Sequence, residues 1–99
     1  MAERVVERTL SDGGLSIHYR LERLGGDLLL TVTGGAAHVG CVVLATHRQS
    51  LTGSGADSAD SSVLNRSGHK DEFLLRALAE RLSAVAGCAV AAVGGVHYD

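Results

Sequence analysis

Residues 71–93 read DEFLLRALAERLSAVAGCAVAAV, and this stretch decides the fold. Its first part carries apolar residues at intervals of three and four, the spacing of one face of an α-helix. These residues are Leu74, Leu75, Leu78, Leu82 and Val85. Glu72 and Arg76 stand four apart on the other side of that helix, and Gly87 is placed to end it. The pattern predicts one long amphipathic helix over 71–86, followed at once by a buried strand over 88–93.

Upstream of this helix, the sequence is typical of a meander of strands. Apolar and polar residues alternate over 15–22, the period of a half-buried strand, and 4–10 is expected to pair with it as an edge strand. Residues 28–33 follow across a glycine turn as a hairpin partner, and 39–45 is apolar enough for a central strand. The predicted fold class is therefore α+β, with an antiparallel-rich mixed sheet of about five to six strands packed against one long amphipathic helix.

Residues 47–62 are rich in Ser, Gly, Asp and Thr and contain almost no apolar side chains. Such a segment buries too little surface to order itself, so the sequence predicts a polar loop at about 47–62 within one domain over 1–99. A loop of this length in a small domain is either a functional lid or disordered, and the composition fits both. Near the end of the chain, Gly94 and Gly95 are expected to break the last strand.

Composition excludes several classes of partner. The chain has 99 residues, a formal net charge of −2 and no cluster of Lys and Arg, which argues against nucleic acid. No apolar run approaches the roughly 20 residues of a membrane span, and the first residues lack the core of a signal peptide, so we expect a cytoplasmic protein with no membrane partner. A core this small leaves apolar surface for another copy, which predicts a homo-oligomer. Cys41 and Cys88 lie in apolar runs and are expected to be free, buried thiols.

Three of the five histidines stand beside glycines at the ends of predicted elements. They are His38, His69 and His97, and the neighbouring glycines include Gly34, Gly35, Gly40, Gly68 and Gly95. Glycine lets a ligand approach the main chain, so strand ends of this kind form crevices for a small molecule or an ion. One hypothesis is that the three histidines converge with Asp99 on a divalent metal ion. The other is that each is solvated or hydrogen-bonded to the backbone, and the sequence leaves both open.

The run Gly68-His69-Lys70 stands at the predicted start of the helix. A helix N-terminus presents unpaired N–H groups and the positive end of the helix dipole, and Lys70 adds a full charge. The run is therefore a candidate anion site, with phosphate as the obvious anion. The alternative is that Ser67 caps the helix while Asp71 and Glu72 satisfy its dipole. The sequence contains neither a phosphate-loop motif nor a dinucleotide-binding fingerprint, so those nucleotide folds are excluded.

Taken in order, these motifs resemble those of a known family. The set consists of Gly34-Gly35 with His38-Val39-Gly40, then Ser62-Val63-Leu64 leading to Gly68-His69-Lys70-Asp71-Glu72, then Gly94-Gly95-Val96-His97-Tyr98-Asp99. From about Leu28 onward, the chain resembles the small LpdD-like proteins. These are the third, or D, subunit of UbiD-type hydroxyarylic acid decarboxylase systems, and they are regarded as chaperones for prenylated flavin.

The resemblance implies an accessory protein that binds prenylated flavin mononucleotide (prenylated FMN) and delivers it to a UbiD-type decarboxylase without catalysing decarboxylation itself. On this interpretation, the helix start holds the flavin phosphate, and the strand-end histidines line the cofactor or bind an associated metal ion. The predicted cofactor-binding residues are Gly34, Gly35, His38, Gly40, Gly68, His69, Lys70, Gly95 and His97. The predicted metal ligands are His38, His69, His97 and Asp99.

Two other functions stay open beside this one. The first is a small enzyme in which a histidine-bound metal ion activates water and Asp99 acts as the base. The second is a purely structural subunit, whose glycines only make turns and whose sheet forms an oligomer interface. The chaperone is preferred, because the sequence shows no recognisable nucleophile and base and leaves little chain to shape a substrate pocket.

Overall fold

The structure is a computed structural model that describes residues 4–49, 57–66 and 71–98. The strands of the described residues are β1 (Val5–Asp12), β2 (Leu15–Leu24), β3 (Asp27–Gly35), β4 (Cys41–Gln49), β5 (Asp57–Asn65) and β6 (Val90–His97). Their helix is α1 (Glu72–Ala86). No helix in the described part of the chain is long and apolar enough to cross a bilayer.

The strands form one sheet in the order β1-β2-β3-β6-β4-β5. The pairs β1–β2, β2–β3, β6–β4 and β4–β5 are antiparallel, whereas β3 and β6 run parallel. The predicted α+β class, with a six-stranded sheet and one helix, is confirmed. Two details are corrected: the sheet is best described as mixed because of its central parallel pair, and the helix spans only 15 residues.

The first three strands form the predicted hairpins, but the meander stops at β3. The chain leaves the sheet after β5, and α1 carries it back so that β6 enters between β3 and β4. The expected break at Gly94 and Gly95 is wrong, since β6 continues through both glycines to His97. The glycine at position 94 serves strand pairing instead of ending the strand. A Cβ on Gly94 would overlap the backbone of Val32 on β3, so only glycine lets the two strands approach.

The loop predicted over 47–62 is also wrong in its extent. Strand β4 reaches Gln49 and strand β5 begins at Asp57, so much of the polar segment is paired in the sheet, and 50–56 lies outside the described residues. An edge strand gains its order from backbone pairing and needs few apolar side chains. The half-buried Ala59, Ser61 and Val63 alternate along β5, and the Ser61 hydroxyl donates a 2.5 Å hydrogen bond to Glu80 of α1.

The core lies between α1 and the sheet. Its buried apolar members are Leu30, Val32, Cys41, Val43, Ala45, Leu75, Ala79, Val90 and Ala92. The helix contacts β4, β5 and β6, and its fully buried line is Leu75, Ala79 and Ser83. The predicted stripe is therefore rotated: its other leucines are half-buried at the border of the core, and Val85 is 72% exposed. Gly87 ends the helix as predicted, with its N–H donating to the Ser83 carbonyl.

Both cysteines are free, as predicted, but only Cys41 is buried, and Cys88 is half-buried. Burial raises the pKa of the Cys41 thiol, and the negative charges of Asp71 and Glu72 raise it further. Burial also raises the pKa of Cys88, with Asp27 adding to the effect. Both thiols are therefore protonated and poorly nucleophilic near neutral pH.

We predict that the free energy of unfolding falls as the pH rises above about 8.5, and that Cys41 causes part of the fall. The raised pKa means that the unfolded chain releases this thiol proton first. The stability that the neutral thiol contributes is therefore complete below that pH and is lost as the pH rises through the folded pKa. Urea unfolding of wild type and Cys41→Ala from about pH 7 to about pH 10 should show a narrowing gap between the two proteins. A gap that stays constant with pH would contradict this.

Candidate functional site

The candidate site lies along the edge of the sheet that is formed by strand ends rather than by an outer strand, and four chain segments meet there. Because β3 and β6 are parallel, their carboxyl ends reach the same edge, and the antiparallel β4 begins there. The helix α1 runs back across the sheet before β6, so its N-terminus is also at this edge. The topology thus brings the 36–40 connection, Asp71 and the end of β6 together. Carboxyl ends of neighbouring parallel strands are a common place for ligands.

The centre of this edge is a pair formed by His38 and Asp71. The His38 Nε2 atom lies 3.2 Å from Asp71 Oδ2, and His38 Nδ1 lies 2.9 Å from the carbonyl oxygen of Ala36. Both ring nitrogens of His38 thus lie next to oxygen atoms, and these two contacts hold the ring in one orientation. Both side chains are largely shielded from water, with 17% of His38 and 9% of Asp71 exposed.

Asp71 also joins the helix to the last strand. Its second oxygen, Oδ1, accepts a hydrogen bond of 2.9 Å from the backbone N–H of Val96 on β6. Asp71 occupies the N-cap position of α1, yet its side chain makes no capping hydrogen bond. The interpretation in which Ser67 caps the helix is therefore corrected. The carboxylate is directed toward β6 and His38, while the positive end of the helix dipole still favours its charge.

Two of the predicted site glycines form the floor under this pair. A Cβ added to Gly40 would overlap the Asp71 carboxylate, and a Cβ added to Gly95 would crowd the His38 ring. Side chains at either position would push the pair apart. In the described residues, the space beside these two glycines is filled by Asp71 and His38. Gly40 and Gly95 therefore contribute to a ligand site by making room for the His38–Asp71 pair.

The other predicted glycines bring the ends of β3 and β6 together. Gly35, which has a φ of +66°, lies against the backbone carbonyl of His97, and that carbonyl accepts a 3.1 Å hydrogen bond from Ala36 N–H. Gly34 packs closely against Val96. The result is that the rings of His38 and His97 stand side by side, with centroids 6.2 Å apart and planes nearly perpendicular at 88°.

Tyr98 fixes the strand end that carries His97. Its hydroxyl oxygen accepts a 2.6 Å hydrogen bond from Ser16 N–H and donates a second one to the Ser16 carbonyl. These contacts attach the residue after β6 to the start of β2. His97 is exposed, whereas His38 is held below it by Asp71. The edge therefore presents the exposed residue His97 beside the shielded His38–Asp71 pair.

A cation also borders the site. The backbone N–H of Arg66 donates to the Gly40 carbonyl at 2.9 Å, and the Arg66 guanidinium donates to the Val39 carbonyl at 3.2 Å. Arg66 therefore lies directly against the connection that carries His38. An exposed guanidinium in this position still has donors for an anionic ligand.

Several predicted site residues cannot be placed. Gly68, His69, Lys70 and Asp99 lie outside the described residues, so the anion site at the helix start and two of the four predicted metal ligands do too. Within 4–49, 57–66 and 71–98, no group of three His, Cys, Asp or Glu side chains is arranged to hold a metal ion. The predicted divalent metal is therefore not supported.

Sequence reasoning missed Asp71 and Arg66. Asp71 was interpreted only as a residue that satisfies the helix dipole, and Arg66 was not singled out. A carboxylate at the first turn of the helix that returns to the sheet was the available signal for Asp71. No local pattern marked Arg66, because its role depends on the contact between the residue after β5 and the 36–40 connection.

The family model described as prenylated flavin chaperone LpdD-like domain matches residues 11–99, which include the whole candidate site. No curated protein sequence matches the chain.

Proposed function

The chain belongs to the prenylated flavin chaperone LpdD-like family, and from this we propose that it binds prenylated FMN at the edge formed by His38, Asp71, His97 and Arg66. We propose further that it hands the cofactor to a UbiD-type hydroxyarylic acid decarboxylase. The family supports the general chaperone role, and the polar edge supports the location. On this proposal, the protein carries the cofactor and performs no decarboxylation.

The observation that carries the location is the contact between the His38 and His97 rings, together with the Arg66 guanidinium that bonds to the carbonyl of Val39, the residue after His38. Prenylated FMN has an anionic phosphate and a ring system with a polar edge. Arg66 offers planar N–H donors of the kind that bind phosphate in pairs, and the exposed residue His97 adds an imidazole side chain. The His97 ring contacts the ring of His38, which in turn contacts the Asp71 carboxylate.

A shielded His38–Asp71 pair beside an exposed histidine suits a carrier. The donors are held in place before the ligand arrives, which reduces the entropy cost of binding. The ligand contacts themselves lie at the exposed edge, so a decarboxylase can reach the cofactor without unfolding its carrier. Within this proposal, Gly68, His69 and Lys70 remain candidate phosphate-binding residues.

We also propose that residues 1–99 act as one domain, that the protein works in the cytoplasm and that it self-associates. These three statements rest on the length and composition of the chain.

We predict that His97→Ala and Arg66→Ala each weaken binding of prenylated FMN by at least about tenfold, since each removes one directed polar contact. Calorimetric titration with prenylated FMN and with FMN measures the affinity, and activation of decarboxylase lacking its cofactor measures the transfer. Matched controls are His18→Ala, a strand histidine 45% exposed, and Arg81→Ala, beside the apolar groove between α1 and β2–β3.

The outcomes separate the candidate functions. Loss of affinity in the two site variants but not in the controls supports the proposal. Loss in Arg81→Ala alone would move the ligand to the apolar groove of about 290 Å³ that Tyr19, Leu30 and Leu82 help to line. Equal affinity of all four variants would overturn the proposed location. No flavin binding by the wild type would leave the structural subunit as the better interpretation.

A further inference from the structure

Strand β1 lies at the outer edge of the sheet and is its most exposed strand. All eight residues of β1 are exposed, and its apolar members Val5, Val6 and Leu10 are 37%, 37% and 62% exposed. Leu15, just across the turn on β2, is 53% exposed. Long edge strands with apolar side chains are templates for pairing with another strand, and proteins that stay monomeric blunt them with proline, bulges or inward-pointing charge. The chain contains no proline.

The backbone of β1 is orientated for such pairing. The carbonyl of Arg4 accepts the N–H of Arg23 on β2, and Val6, Arg8, Leu10 and Asp12 follow at alternate positions. In an antiparallel pair, both polar groups of one residue point to the same neighbour. The even-numbered residues therefore bond to β2, and the odd-numbered ones, including Thr9 and Ser11, direct their N–H and C=O groups outward.

The last five residues of β1 are Arg8-Thr9-Leu10-Ser11-Asp12. Their side chains are complementary to those of the same segment running in the opposite direction. Read against a second copy in the antiparallel direction, Arg8 faces Asp12 of that copy, Thr9 faces Ser11, and Leu10 faces Leu10. We propose that a second copy of this chain binds β1 in this register, about a twofold axis at Leu10. The surface is self-complementary, as a twofold interface requires.

This register agrees with the backbone as well as with the charges. Thr9 and Ser11 of the two copies exchange N–H···O=C bonds, while Leu10, which bonds to β2, sits in a pair without hydrogen bonds. Side chains of such pairs approach most closely, which brings Leu10 against Leu10 and Arg8 against Asp12. Moving the axis to Arg8 would place two guanidinium groups opposite each other, and moving it to Thr9 would place Arg8 opposite Leu10.

The other outer strand of the sheet, β5, does not offer the same match. Strand β5 carries the exposed Asp60, whose carboxylate already accepts a 2.8 Å hydrogen bond from Arg48 on β4. Strand β5 contains two aspartates and no Lys or Arg, so a reversed second copy of this strand offers its carboxylates no opposite charge. Pairing through β1 gives a continuous twelve-stranded sheet and leaves the candidate site, on β3 and β6, open in both copies.

Charge exchange in β1 tests this proposal. Sedimentation equilibrium of the full chain should show a dimer, and Arg8→Asp or Asp12→Arg alone should weaken it at least about tenfold, because each places like charges opposite each other twice. The double variant Arg8→Asp, Asp12→Arg restores both attractions and should return the dissociation constant to within about threefold of wild type. Asp60→Arg, at the other edge, should leave the dimer unchanged.

Three results would overturn the proposal. A wild type that stays monomeric up to about 1 mM would show that β1 does not pair. A dimer that persists unchanged in both single variants would place the interface elsewhere. Single variants that dissociate without recovery in the double variant would rule out the register centred on Leu10. Circular dichroism of each variant separates loss of pairing from loss of folding.

Discussion

Replacement of Gly94 by alanine is expected to lower the free energy of unfolding by about 3 kcal/mol or more. Gly94 lies in β6 opposite Val32 of β3 and opposite Cys41 of β4, at the centre of the sheet. Its φ of +144° is one that residues with a side chain rarely adopt, and a Cβ there would overlap the Val32 carbonyl. The strain cannot relax locally, because the atom in the way is backbone on the parallel partner strand.

Gly26→Ala provides the matched control. Gly26 lies in the turn between β2 and β3, has no positive φ, and a Cβ there would meet no atom within 4 Å in the structure. Urea unfolding at one protein concentration should leave Gly26→Ala within about 1 kcal/mol of wild type, while Gly94→Ala loses most of a small domain's stability. Equal values for the two variants would contradict the close parallel pairing of β3 and β6. If Gly94→Ala does not fold at all, circular dichroism will show it, and the prediction is met.

The parts of the fold that local sequence encodes could be predicted. Alternation over β2 gave a half-buried strand, glycine turns gave the hairpins, and leucine spacing gave α1. Strand β5 was not predicted, because its inward-facing residues are Ala59, Ser61 and Val63. Residues this small, packed beneath a helix, leave no apolar period in the sequence to detect. The position of β6 was not predicted, because the pairing of a strand across the sheet depends on residues far apart in the sequence. No short pattern contains that information.

The candidate site was predictable only in part. Glycine neighbours drew attention to His38 and His97, and the structure places their rings side by side. The glycines were interpreted as access for a ligand, whereas Gly40 and Gly95 make room for Asp71 and His38. That relation joins residues more than thirty positions apart, so only the folded chain displays it. It also shows why the structural and functional roles of this edge require separate tests.

Replacement of Asp71 by alanine is expected to destabilise the protein by about 3 kcal/mol. The change leaves the shielded His38 ring without its carboxylate and the Val96 N–H without its acceptor, and it disconnects the start of α1 from β6. Asp71→Asn should cost less, because the amide oxygen can still accept from Val96. The surface carboxylate Asp60, paired with Arg48, is the control, and Asp60→Ala should cost no more than about 1 kcal/mol.

A double-mutant cycle with His38→Ala identifies the source of this loss. If the two side chains act as a pair, removing both should cost less than the sum of the single losses by at least about 1 kcal/mol, since no shielded charge is then left alone. Additive losses would show that Asp71 acts only through Val96 and that His38 is held by other contacts. A loss for Asp71→Ala no larger than that for Asp60→Ala would contradict a shielded ion pair at this edge. Because Asp71 accepts a hydrogen bond from Val96, two residues from Gly94 in β6, the effects of the Gly94 and Asp71 variants are also expected to couple, whereas Asp60→Ala should add independently to either.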